Sequence, residues 1–262
     1  MIFLNGTEVK LNHFNDKTLD LKLDINILQF GQCNTIKWLF DSNEELVALC
    51  FLVKHMRTKN IQDIKLVMPY IPNARRDRVK DDNNVFTLKY FAEIINSLNF
   101  TCVEVLDPHS FVSEALIDRI RIATPKDIIM KVLDEIGDDV VMFYPDEGAV
   151  KRYSSLFLND YVFGMKHRDK KTRKIDSFSI NGDTDSVKGK NILMIDDICA
   201  TGTTLSMACA ELKKIGAKEL YVFVSHCEET VLEGNLLNEI TMLYTTDSIF
   251  RNNHPKITIL ET

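Results

Sequence analysis

Charged and imidazole side chains gather where the apolar runs of this chain stop. Pro69-Tyr70 leads into Asn73-Ala-Arg-Arg-Asp-Arg78, and another run ends in Asp107-Pro108-His109-Ser110. Further runs end in Pro145-Asp146-Glu147-Gly148, in Lys166-His167-Arg168 and in Asp196-Asp197. Ligands of open parallel sheets bind outside the carboxyl ends of strands, so these five endings predict a functional site there. Arg75, Arg76 and Arg78 suit oxyanions, because a guanidinium fork matches their geometry better than an ammonium does.

The most specific stretch is Asn191-Ile-Leu-Met-Ile-Asp-Asp-Ile-Cys-Ala-Thr-Gly-Thr-Thr-Leu205. It reads as a buried strand delivering two adjacent carboxylates, then a small-residue turn, then a helix. Ala200-Thr201-Gly202-Thr203-Thr204 offers backbone N–H groups and hydroxyls to a phosphate at a helix N-terminus. Asp196 and Asp197 can accept hydrogen bonds from two vicinal hydroxyls, or hold a cation beside the phosphate. No GxxxxGK[ST] occurs, so a P-loop NTPase is not supported.

These residues need a scaffold, and the pattern supplies one. Strand-like runs at 63–70, 101–107, 140–145, 161–165, 191–196 and 219–227 alternate with helical patterns at 86–98, 126–136, 148–158 and 203–215. Ser42-Asn-Glu-Glu45 is a capping-box signature opening an earlier helix, and Thr124-Pro125 opens the one at 126. The alternation predicts α/β architecture, with mainly parallel sheets covered by helices on both faces. A break near Ala123-Thr124-Pro125 predicts two domains, 1–123 and 124–262. The polar stretch 166–190 reads as a mobile loop with a small β excursion at FSIN.

Composition bounds the function. The 262 residues are 45% hydrophobic and 27% charged, with a net charge of −6. That excludes a disordered chain and argues against nucleic acid as a partner. The six cysteines show no CxxC spacing and read as reduced core thiols. No apolar run is long enough to cross a membrane, and the start MIFLNGTEVK has no secretory pattern, so a cytoplasmic protein is expected.

The Asp-Asp-Ile-Cys-Ala-Thr-Gly-Thr-Thr segment resembles the phosphoribosyl-diphosphate (PRPP) loop of type I phosphoribosyltransferases and PRPP synthetases. VMPYIPNARRDR, VLDPHS, YPDEGAVKR, MKHR and SVKGKNILMIDD resemble synthetase segments in the same order, and with the loop they cover residues 14–205. The chain thus resembles the ribose-phosphate pyrophosphokinase family, in particular its short phage and bacterial members. The resemblance implies two stacked type I phosphoribosyltransferase-like domains, the first without the PRPP loop. It implies that Arg75, Arg76 and His109 meet ATP phosphates or the associated metal, and that Phe14 and Asp16 belong to an adenine site. Asp146 and His109 would be metal ligands for Mg²⁺. Asp196 and Asp197 would hold ribose O2 and O3, Thr201, Gly202, Thr203 and Thr204 the 5-phosphate, and Lys166 and Arg168 the diphosphate in the transition state. ATP would be a substrate, and the assembly a homo-oligomer, dimer or hexamer.

Departures from the family pattern bear on the acceptor. Ala200 replaces a usual acid, Thr203 a usual glycine and Thr18 an expected glutamate. Ribose 5-phosphate and ADP-ribose both stay open as acceptors. A phosphoribosyltransferase with an adenine-type loop and a non-catalytic regulatory homologue are the alternative readings.

Overall fold

Strands in the first part of the chain alternate between buried and half-buried residues, whereas most strands in the second part are buried almost throughout. The division falls between Thr124 and Pro125, giving unit 1 (Met1–Thr124) and unit 2 (Pro125–Thr262). The structure is a computed structural model that describes residues 1–168 and 175–262, with side chains from 166 to 177 left undescribed.

Unit 1 contains strands β1 (Ile2–Leu4), β2 (Thr7–Glu8), β3 (Leu11–His13), β4 (Leu19–Leu21), β5 (Asn34–Trp38), β6 (Ile64–Val67), β7 (Cys102–Leu106) and β8 (Ile120–Ala123). Its helices are α1 (Glu44–Thr58), α2 (Thr87–Ser97) and α3 (Val112–Leu116). The main sheet has the order β2-β1-β5-β6-β7-β8, and β3 and β4 form a separate hairpin. β5 to β8 are parallel and wind in one direction. Right-handed crossovers then send successive helices to one face. That face carries the core: Ile36, Trp38, Ile64, Leu66, Val103 and Val105 beneath Leu49, Val53, Phe91 and Ile95. The other face keeps Thr35, Lys65, Cys102 and Glu104 half-buried, with Lys65 Nζ 2.7 Å from Glu104 Oε2. The expectation of helices on both faces is therefore corrected for unit 1, because its winding never reverses.

Unit 2 contains β9 (Val140–Tyr144), β10 (Tyr161–Arg168), β11 (Ile175–Gly182), β12 (Asn191–Cys199), β13 (Leu220–Cys227), β14 (Met242–Thr246) and β15 (Ile257–Leu260). Its helices are α4 (Lys126–Ile136), α5 (Glu147–Tyr153), α6 (Thr203–Ile215) and α7 (Leu236–Glu239). The order is β11-β10-β9-β12-β13-β14-β15, parallel except for the β10–β11 pair. From β9 the chain moves one way to β10, and from β12 the other way to β13. Helices consequently cover both faces. Ile129, Val132 and Tyr153 pack on Met142, Leu193 and Ile195, while Leu205, Ala208 and Leu212 belong with Phe143, Met194 and Val222.

Three local expectations change. Glu45 does not close a capping box on Ser42; its Oε2 accepts from Trp38 Nε1 and from the Asp41 backbone N–H, both at 2.8 Å. The stretch after Met165 is not simply a loop, because β10 runs on through Lys166, His167 and Arg168 and pairs antiparallel with β11. Nor are all six thiols in the core: Cys199, Cys209 and Cys227 are buried, Cys50 and Cys102 are half-buried, and Cys33 is exposed.

Candidate active site

The reversal of strand order between β9 and β12 opens a crevice at their carboxyl ends, the position where open α/β sheets bind ligands. Asp146 follows β9 and caps α5, its Oδ1 accepting the Ala149 N–H at 3.1 Å. Asp196 and Asp197 lie in β12, and Asp196 Oδ1 accepts the Asp197 N–H at 2.9 Å. Burial, then the neighbouring charge of Asp197, pushes the Asp196 carboxyl well above the usual carboxylate range, and Asp146 adds to the effect. Arg152, from the last turn of α5, brings Nη1 to 3.7 Å from Asp197 Oδ2, with both side chains largely buried. The sequence reading assigned Arg152 no role. Its signal was the spacing from Asp146, which places it on the helix that starts at the crevice.

The turn after β12 reaches α6 through Gly202, whose φ of +73° suits glycine. Thr201 and Thr203 are exposed with their hydroxyl oxygens 2.9 Å apart, and Thr204 is half-buried. The first N–H groups of α6 have no partner within the helix, and its positive dipole end faces the same turn, so this is a place for an anion. The structure thus brings Asp146, Asp196, Asp197 and Thr201–Thr204 to one end of one sheet. Lys166 and Arg168 have backbone positions in β10, opposite Phe178 and Ile175, with a register shift between His167 and Arg168.

In unit 1 the arginine-rich segment follows β6 and the histidine segment follows the adjacent β7. Ser110 Oγ donates to Asp77 Oδ2 at 2.8 Å, tying the two together. Leu106 N–H donates to Pro69 O at 3.0 Å just below. Asp107 turns the chain with a φ of +41°, and its backbone N–H donates to Ala123 O. Arg75, Arg76 and His109 are exposed, and Arg76 Nη1 donates to Asn84 Oδ1 at 2.8 Å. Phe14 and Asp16 lie on the turn between β3 and β4, which form a sheet of their own. Asp16 Oδ1 accepts from the Thr18 hydroxyl at 2.7 Å and from its N–H at 3.0 Å, which lowers the Asp16 carboxyl below its ordinary range. Phe14 is 57% exposed.

Residues 4–98 match the N-terminal domain of ribose phosphate pyrophosphokinase, and residues 161–236 match the phosphoribosyl transferase domain. Ribose-phosphate pyrophosphokinase 2 of Enterococcus faecalis is 31% identical over 231 residues, covering 82% of this chain and 68% of that protein. The chain belongs to the ribose-phosphate pyrophosphokinase family. The Bacillus subtilis pyrophosphokinase is 28% identical over 240 residues, covering 88% of this chain and 72% of the relative. Phosphoribosylpyrophosphate synthetase from Mycobacterium smegmatis shares the fold, with a TM-score of 0.79 at 19% identity across 97% of this chain and 86% of that one. The pyrophosphokinase homology therefore spans both units. Among the described residues, no helix is long and apolar enough to cross a membrane.

Proposed function

We propose that this pyrophosphokinase transfers the β,γ-diphosphate of ATP to the anomeric hydroxyl of ribose 5-phosphate, giving PRPP and AMP. The observation that carries the reading is the convergence, at the β9–β12 reversal, of two adjacent carboxylates with an anion-ready helix N-terminus. Asp196 and Asp197 would accept hydrogen bonds from the vicinal ribose hydroxyls, and Thr201 to Thr204 would take the 5-phosphate. Arg152 offsets charge at Asp197, so the pair can stand side by side without a ligand's help. Arg75, Arg76 and His109 would bind the ATP phosphates, with Phe14 and Asp16 in the adenine site. Lys166 and Arg168 would neutralise charge on the moving diphosphate. The anomeric oxygen attacks the β-phosphorus, the bond from that phosphorus to the α-phosphate bridge breaks, and AMP leaves as the hydroxyl proton is lost.

Mg²⁺ is the metal this chemistry calls for, and when bound it supplies charge neutralisation on phosphate oxygens. Asp146 places a carboxylate near the Asp196–Asp197 pair, and Mg²⁺ is commonly held by one or two carboxylates together with substrate phosphates and water. Asp146 is the residue of unit 2 that would hold it, and His109, taken by itself, is the candidate ligand of unit 1. A homo-oligomer, dimer or hexamer, is the proposed working form.

ADP-ribose is the alternative acceptor, a reading favoured by neutral Ala200 and by the exposure of Thr201 and Thr203. A ³¹P NMR assay with ATP, Mg²⁺ and each acceptor tests the proposal. AMP and a new sugar diphosphate are expected. ADP as the nucleotide product would overturn diphosphoryl transfer, turnover only with PRPP and a base would indicate a phosphoribosyltransferase, and no chemistry would indicate a regulatory homologue.

A further inference from the structure

Gly234 lies outside every motif considered above, yet it touches the phosphate turn. A Cβ built on Gly234 would fall 2.1 Å from the Thr201 carbonyl oxygen and 3.1 Å from the carbonyl carbon. The backbone of Gly234, at φ −88° and ψ 177°, is extended geometry open to any residue. Conformational freedom therefore does not account for glycine here. Contact does: only a hydrogen fits between the Gly234 Cα and that carbonyl.

The consequence follows from peptide planarity. The described residues contain no cis peptide bond, so the Thr201 C=O and the Gly202 N–H point in opposite directions. With the carbonyl turned onto Gly234, the Gly202 N–H must face the other way. A second contact fixes the next residue, because a Cβ on Gly202 would lie 2.7 Å and 2.8 Å from side-chain atoms of fully buried Leu236. The same segment is tied to the end of β12, where Glu228 N–H donates to Cys199 O at 2.7 Å.

We propose that Gly234 and Leu236 are positioning residues for the phosphate turn. They hold the Thr201–Gly202 peptide so that an N–H is offered to the acceptor's phosphate and the carbonyl, which would repel it, is kept away. This inference rests on the reading of 200–204 as the sugar-phosphate site. A methyl at 234 must push the Thr201 carbonyl aside and rotate the peptide, while the nucleotide-binding segments of unit 1 are untouched.

The test is calorimetric titration of the full-length protein with ribose 5-phosphate and, separately, with ATP–Mg²⁺. Gly234→Ala should raise the Kd for ribose 5-phosphate at least about tenfold, the loss of about one charge-assisted hydrogen bond, and leave the Kd for ATP within about twofold. Asn235→Ala, at an exposed neighbour, should change neither. A second readout needs no variant. With ¹⁵N-glycine labelling of the ten glycines, the Gly202 amide proton should move downfield on adding ribose 5-phosphate, and this decides the matter if Gly234→Ala does not fold. Equal acceptor affinity in Gly234→Ala, or an unmoved Gly202 resonance in a protein that binds ribose 5-phosphate, would overturn the positioning role alone. Failure of the unsubstituted protein to bind ribose 5-phosphate would overturn the sugar-phosphate reading and this inference together.

Discussion

In unit 2 the strands wind outward in both directions from the β9–β12 boundary, and in unit 1 β5 to β8 wind only one way. The reversal leaves a crevice in which neighbouring carboxylates are desolvated, and Asp196 responds by holding its proton more tightly. Without a reversal, unit 1 sets Arg75, Arg76 and His109 on exposed turns joined by the Ser110–Asp77 hydrogen bond. Buried acids act over short range with little screening, whereas exposed guanidinium groups are screened by salt and suit a large, highly charged ligand. The difference separates a buried cluster of acids from an exposed set of cations, the contrast that the proposed sugar-phosphate and ATP sites would require.

The largest expected effect would come from β10. Lys166→Ala and Arg168→Ala should each lower kcat by at least about 10²-fold with modest KM change, since a cation acting on transition-state charge contributes roughly 3 kcal/mol. Steady-state kinetics decide it, and turnover equal to the parent would remove both residues from the mechanism. Next in size, Asp197→Asn should raise the acceptor KM by roughly 10- to 100-fold and barely move the ATP KM, as charge-assisted hydrogen bonds of about 1.5–3 kcal/mol are lost. The reverse pattern would mean that unit 2's acids serve the metal–nucleotide complex, and the contrast between the units would collapse.

A smaller effect of opposite selectivity belongs to unit 1. Ser110→Ala removes the tie to Asp77 and should raise the ATP KM about three- to tenfold, the worth of one net hydrogen bond, with the acceptor KM unchanged. Equal effects on both substrates would show that the tie only supports the fold. The smallest effect is on stability. Because the folded-state value of Asp196 is raised, the native protein binds the extra proton and loses stability as pH climbs from the ordinary carboxylate range through that raised value. Asp196→Asn removes this penalty. It should stabilise by about 1 kcal/mol at high pH, a few degrees in Tm, with the gain fading toward about pH 4. Melting curves across pH check it, and a gain that grows toward acid pH would contradict the burial of this group.

Part of this was legible in the residues themselves. Helix 203–215 is read to the residue, because Gly202 and Gly216 bracket an apolar period and both adopt left-handed backbone. Helix 126–136 is equally clear, from Pro125 at its start to Gly137 at its end. The small-residue turn at 200–204, the paired aspartates and the basic run after Met165 stand out because composition changes sharply there. The short strands β1 to β5, β8, β14 and β15 were not legible, since two- to five-residue runs carry little period and take their place from neighbours.

What the sequence by itself determined is local: which of the longer segments are strands and helices, and which endings carry charge, since backbone propensity and side-chain period act within a few residues. Only the tertiary structure decided which endings share a crevice, that Arg152 faces Asp197, and that Gly234 lies against Thr201, thirty-three positions away. Those relations depend on strand order and on close packing between segments distant in sequence. A glycine whose φ is ordinary gives no local sign of the carbonyl that excludes its methyl group.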